Sequence, residues 1–207
     1  MKKFEFTEET KIVFGITLHR IKALTSFGIV EAGALGGWLE KESNLSHIGD
    51  AWVYDNAQVY DDAWVCGEAR VCGNARVCGD AQVCGNARVY GDAQVYDDAW
   101  VCGDARVCGN ARVYGNAQVC GNARVCGDAV IQKCEDYLTV SPIGSRRDIT
   151  TFFRDEDGKI HVKCGCFLGD IDEFASAVTK THGENKHAKA YQLAIQLAKE
   201  CICAQEG

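Results

Sequence analysis

The sequence predicts a mainly β protein built as a hexapeptide-repeat parallel β-solenoid. An N-terminal β cap (residues 1–48) precedes it, and a small C-terminal α+β domain (residues 133–207) follows. Three observations carry this. Ala recurs every six residues from Ala51 to Ala129 without insertion. Val recurs with it from Val53 to Val125, and Ile131 closes the series. Each unit opens on Gly or Asp followed by Asp, Asn or Glu, and all but the last end on Cys or Tyr. Residues 49–132 thus hold fourteen consecutive units.

The cap comes first. Residues 16–24 alternate in the manner of a strand, and residues 31–38 form a glycine-punctuated turn leading into Leu39. An open solenoid end exposes apolar residues and unpaired strand edges, so a cap is a physical requirement. In the repeats, Ala and Val lie two apart and share one face of a strand, while the residue between them and the Cys or Tyr face outward. The Gly, Asn and Asp pairs supply the left-handed backbone of sharp corners. Every unit turns the same face inward, so the chain must coil, and three units per turn place residues 18 apart at roughly 4.8 Å. Fourteen units then make about 4.7 turns, a prism roughly 22 Å tall.

Reading every eighteenth residue gives the outer columns. One face carries Trp52, Arg70, Arg88, Arg106 and Arg124, the next Gln58, Arg76, Gln94, Arg112 and Val130, and the third Trp64, Gln82, Trp100 and Gln118. Beside the third face runs an unbroken thiol column, Cys66, Cys84, Cys102 and Cys120.

After residue 132 the hexads stop. Residues 136–140 read as a strand and residues 141–145 as a turn holding the one Pro. Residues 148–154 and 159–164 flank Asp155-Glu156-Asp157-Gly158 as a hairpin. Asp170 or Asp172 can cap a helix to about Thr181, and Asn185 a longer one to about Cys203.

The repeats resemble hexapeptide-repeat left-handed parallel β-helix proteins, whose signature is an aliphatic residue with a small residue two positions before it, as in Ala105-Arg106-Val107. Left-handedness is implied by that resemblance alone. Leu35-Gly36-Gly37-Trp38 and Asn44-Leu45-Ser46 add a likeness to bacterial and prophage-encoded members, often labelled acyltransferases. Ser141-Pro142-Ile143-Gly144-Ser145 and Cys164-Gly165-Cys166-Phe167 look like a phage-type C-terminal α+β domain.

Net charge is −7, and no segment is basic overall, so duplex nucleic acid is not an expected partner. The N-terminus lacks the apolar run of a secretory leader, and no stretch is long enough to span a membrane, so a cytoplasmic location without membrane association is expected. The thirteen Cys, odd in number, do not read as a disulfide framework.

The resemblance implies a homotrimer with acyl-CoA held between prisms and a His general base. Here His19, His47, His161, His182 and His187 all lie outside the repeats, and no loop leaves the coils. Catalysis would fall to His47, beside the first coil. The thiol columns read as stacking residues: parallel side chains do not converge on a tetrahedral metal, and the ladder spacing exceeds the usual disulfide Cβ separation. Arg70, Arg88, Arg106 and Arg124 are expected to pair with Glu68 and Asp104. Cys164, Cys166, His182 and His187 are candidate metal ligands, although this spacing does not favour a metal. Ser145, Arg146 and Arg147 are candidate ligand-binding residues, a turn whose donors and guanidinium groups suit an anion but which also reads as an ordinary surface turn.

The sequence therefore reads as a non-catalytic, self-associating scaffold, trimeric as a first expectation. It presents a terminal domain that binds a host protein or a phosphorylated small molecule, without a favoured cofactor. The alternative is a CoA-dependent O- or N-acyltransferase at a trimer interface, with acyl-CoA as cofactor.

Overall fold

The computed structural model describes residues 2–202. The hexads form fourteen two-residue strands, β4 (Trp52–Val53) through β17 (Val130–Ile131), one every six residues. They stack in parallel as three sheets, and partners are 18 residues apart, as in Arg70↔Arg88↔Arg106 and Gln82↔Trp100↔Gln118. The result is a parallel β-solenoid of about five turns. All of its inward Ala and Val residues are buried.

Backbone N–H groups of one coil donate to carbonyls of the next at close to 2.9 Å, as in Trp100 N to Ala117 O. The corners need a left-handed backbone, which Gly supplies in most units. Asp55, Asp61 and Asp97 adopt it too, and their carboxylates accept the N–H groups of Gly73, Gly79 and Gly115 one coil later. That bond offsets the steric cost of a Cβ in this region and explains why Asp can replace Gly at these three corners.

Parallel stacking begins before residue 49. The glycine-rich segment expected as a turn is in fact strand β3 (Leu35–Leu39), which pairs in parallel with Gln58–Val59. Gly36 and Gly37 permit this: a Cβ at either would fall 2.6 Å from atoms of Ile21 and Trp52, or of Val53 and Ala57. Antiparallel strands β1 (Phe4–Val13) and β2 (Ile16–Ala23) extend the same sheet. Trp52, placed by the spacing on an outer column, is buried instead, because the cap folds over it and brings Phe4 and Phe27 against its ring.

At the other end an antiparallel sheet follows, β18 (Tyr137–Ile143), β19 (Asp148–Arg154), β20 (Ile160–Cys164) and β21 (Phe167–Asp170). β18 runs through Pro142 where a turn had been expected, with an irregular register between Val140 and Ile143. Helices α1 (Ile171–His182) and α2 (Lys186–Cys201) begin at the anticipated caps. Asp170 accepts from the N–H groups of Asp172 and Glu173, and Asn185 from those of His187 and Ala188. Cys203, the expected end of the second helix, lies outside the described residues.

This sheet closes the solenoid. Phe153 joins the solenoid core, whereas its neighbour Phe152 joins a second core with Phe174, Tyr191 and Ile195 beneath the helices. The Arg124 N–H donates to Thr151 Oγ1 at 3.0 Å, and the Tyr137 hydroxyl donates to Gln118 O at 2.9 Å. No helix among the described residues is long and apolar enough to cross a membrane.

Candidate functional site

The C-terminal domain holds a cavity of about 190 Å³. The β18–β19 turn contributes Arg146, and the end of β20 and the turn after it contribute Cys164 and Cys166. Phe167 comes from β21, Phe174 and His182 from α1, and Tyr191 from α2. Two glycines shape it. Gly144, in the left-handed region, has the Tyr191 hydroxyl against its α-carbon. Gly165 lies under the Arg146 guanidinium, where a Cβ would fall 2.7 Å from Nη2. The Tyr191 Oη is 3.6 Å from Cys164 Sγ, and the His182 ring stacks on the Tyr191 ring at 5.8 Å. Burial, reinforced by the Cys164 thiol, pushes the Tyr191 hydroxyl up to about 12, so it stays protonated at neutral pH.

The fold thus brings together Arg146, Cys164, Cys166 and His182, which the sequence had placed in two separate groups. Ser145 and Arg147 are exposed on the turn and do not line the cavity. His187 meets His182 ring to ring at 5.8 Å. Among the described residues no three His, Cys, Asp or Glu side chains are arranged to hold one metal ion.

His47 is held within the cap. Its Nδ1 accepts the Lys3 N–H at 3.2 Å, its Nε2 lies 3.8 Å from Glu42, and its ring stacks on Phe4. A different histidine has the geometry of a base. His161 Nε2 is 2.8 Å from Asp155 Oδ2, and Asp155 is itself fixed by the N–H groups of Asp157 and Lys159. This pair borders a second cavity, between the last coil and the sheet, lined also by Cys126, Phe153 and Leu168. Sequence reasoning missed it. The available signal was the hairpin, which returns His161 beside Phe153 and so onto the solenoid side of the sheet.

On the solenoid, the expected pairing of the arginine column with Glu68 and Asp104 is not formed. Arg124 pairs with Asp148 at 3.6 Å, and Arg70, Arg88 and Arg106 have no ion pair within 4.0 Å among the described residues. The carboxylates sit at corners, and side chains in a ladder run parallel to their neighbours rather than toward them. The expectation that thiols one coil apart stay unlinked also fails once. Cys108 and Cys126 form a disulfide with Cα atoms 4.6 Å apart, inside the range a disulfide accepts. The sequence argument had applied the backbone spacing to Cβ atoms, which can converge.

Cys66, Cys72, Cys78 and Cys102 thiols are each pushed upward, chiefly by burial, Cys102 to about 11. In the unfolded chain they ionise near 9.0, so the folded state holds protons that the unfolded state sheds. Their contribution is fully present below pH 9 and falls as pH rises above it, through about 11 for Cys102. Urea unfolding of the wild type is expected to show a midpoint that falls between pH 8 and pH 11, with a shallower fall in Cys102→Ser. Equal slopes would contradict this.

Fold and site together define the class: a hexapeptide-repeat parallel β-solenoid, capped at both ends, with a cavity-bearing α+β domain at its C-terminal end. Residues 81–97, 105–121 and 117–132 match the YdcK beta solenoid repeat family. The chain is similar to the "Uncharacterized acetyltransferase YdcK" of Escherichia coli (strain K12), with 32% identity over 63 residues. That match covers 27% of this chain and 19% of the length of its relative.

Proposed function

We propose that the protein is a scaffold in which the solenoid rigidly presents the C-terminal cavity, and that this cavity binds a small anionic ligand with a flat apolar portion, such as a phosphorylated aromatic compound. The observation that carries this reading is Arg146, seated over Gly165 at a cavity floored by Phe167, Phe174 and Tyr191. A planar guanidinium suits bidentate recognition of phosphate or carboxylate, and an aromatic floor suits a flat ring. The scaffold role proposed for the repeats includes self-association, first as a trimer, in the cytoplasm of a bacterial or phage-infected host, where a host protein could be the larger partner.

Calorimetric titration with phenyl phosphate tests the site. Arg146→Ala is expected to weaken binding by about 10- to 100-fold, the equivalent of one charge-assisted hydrogen bond of about 1.5–3 kcal/mol. Arg147→Ala should leave it unchanged. Equal losses in both variants, or no binding to the wild type, would reject the reading.

A second reading, CoA-dependent acyl transfer at a trimer interface, is favoured by the His161–Asp155 pair and by the name of the similar protein. A carboxylate-oriented imidazole is the usual means of taking a proton from an amine or hydroxyl. His161 replaces His47 as the proposed base, since both His47 ring nitrogens face cap residues. Acetyl-CoA turnover that vanishes in His161→Gln would establish it over the scaffold reading.

A further inference from the structure

The third face of the solenoid carries the one column in which four thiols follow one another without interruption. Tyr90 breaks the column of Cys72, Cys108 and Cys126, and three tyrosines surround Cys78 in the remaining one. Cys66, Cys84, Cys102 and Cys120 are all part-exposed and none is in a disulfide. Their coils stack in register, Trp64↔Gln82↔Trp100↔Gln118, so the four thiols stand one above another along the face. Trp100 belongs to the same face, and its indole N–H donates to Cys84 Sγ at 2.9 Å.

We propose that this column binds soft, two-coordinate monovalent cations, Cu(I) in particular, one in each gap between successive thiols.

Distance and geometry select that class. Successive coils are about 4.8 Å apart. A metal–thiolate bond is about 2.3 Å long, taking zinc as the scale, so two bonds in line span about 4.6 Å. A ladder of parallel side chains supplies the linear arrangement and cannot supply a tetrahedral one. Consistently, no three potential ligands among the described residues are grouped to hold one ion. Zinc, which requires four ligands, is thereby disfavoured, and thiolate softness favours Cu(I). The Trp100 N–H provides the outer hydrogen bond that commonly steadies a metal-bound ligand.

The balance is simple. The first Cu(I) inserts between two thiols, forms two Cu–S bonds and releases two protons, giving a thiolate–Cu(I)–thiolate unit of charge −1. Each further ion in an adjoining gap shares one thiolate already present and releases one more proton. Three ions in three gaps release four protons and leave the column at −1. Nothing is oxidised or reduced. Proton release makes binding weaken as pH falls.

The test is anaerobic titration of the reduced full chain with Cu(I) supplied in acetonitrile, counting retained ions by native mass spectrometry and following indole fluorescence, since Trp64 and Trp100 lie on this face. Wild type is expected to retain three ions in the column, beside one more between Cys108 and Cys126 once their disulfide is reduced, and to lose fluorescence in step. Cys66→Ser removes an end thiol and should lose one ion. Cys84→Ser/Cys102→Ser leaves the remaining thiols three coils apart and should lose all three. Cys72→Ser/Cys78→Ser, on the other columns, should retain the wild-type count. The proposal is overturned if the central double variant keeps the wild-type count, if the Cys72/Cys78 variant loses as many, or if Zn(II) is retained equally well. Absence of any bound Cu(I) in the wild type overturns it too.

Discussion

Phe153→Ala is expected to destabilise the junction between solenoid and terminal sheet by about 3–5 kcal/mol, the usual cost of emptying a buried phenylalanine site. Phe153 is 1% exposed and packs with the core of the solenoid. Phe152→Ala is expected to cost a similar amount, because Phe152 is fully buried. The two should nevertheless fail differently. Phe152 anchors the core under α1 and α2, where it meets Phe174 edge-on at 6.1 Å. Its loss should lower the midpoint of the helical circular-dichroism signal while the repeats hold together. Loss of Phe153 should instead release the whole sheet from the last coil, so that protease cuts near residues 133–137 before the helices melt. Guanidinium unfolding with limited proteolysis separates these outcomes. Identical behaviour in the two variants would mean that the two cores do not act as separate units.

Asp136→Ala is expected to cost about 3–5 kcal/mol, the range for breaking a buried ion pair from one side. Asp136 is 3% exposed. One carboxylate oxygen accepts the N–H groups of Gln132 and Lys133 at 2.9 and 3.0 Å, and the other lies 3.4 Å from Arg154 Nη1. The side chain thereby ties the last residues of the solenoid to the strand that caps it. Asp136→Asn retains an acceptor for the backbone but loses the charge, and should fall between wild type and Ala. A loss below about 1 kcal/mol for Asp136→Ala, by urea denaturation at neutral pH, would show that the carboxylate contributes no more than a surface pair.

The candidate sites were legible in uneven measure. Arg146 stood out as a turn-borne guanidinium, and Cys164, Cys166 and His182 as candidate ligands, but their convergence on Tyr191 depends on how α1 and α2 lie across the sheet. Tyr191 was not singled out in the sequence, since it lies within the span of the second expected helix and belongs to no motif. His161 was noted only as one of five histidines outside the repeats, because its carboxylate partner Asp155 is brought to it by the hairpin fold. His47 drew attention through proximity in sequence to the first coil, yet the cap that surrounds it comes from Lys3 and Phe4.

What the sequence by itself determined is the solenoid: its inward Ala and Val, its left-handed corners, and the columns of Arg, Trp and Cys on its faces. This was possible because in a coil of fixed period each residue's neighbour is the one 18 positions on, so spatial contact reduces to arithmetic along the chain. Only the tertiary structure decided where Trp52 points, which of Phe152 and Phe153 faces the repeats, and that Cys108 joins Cys126. It also decided which groups share the terminal cavity. Those contacts join segments of no common period, and they are set by how a cap and a sheet settle on the two open ends of the prism, driven by the need to bury its last apolar coil.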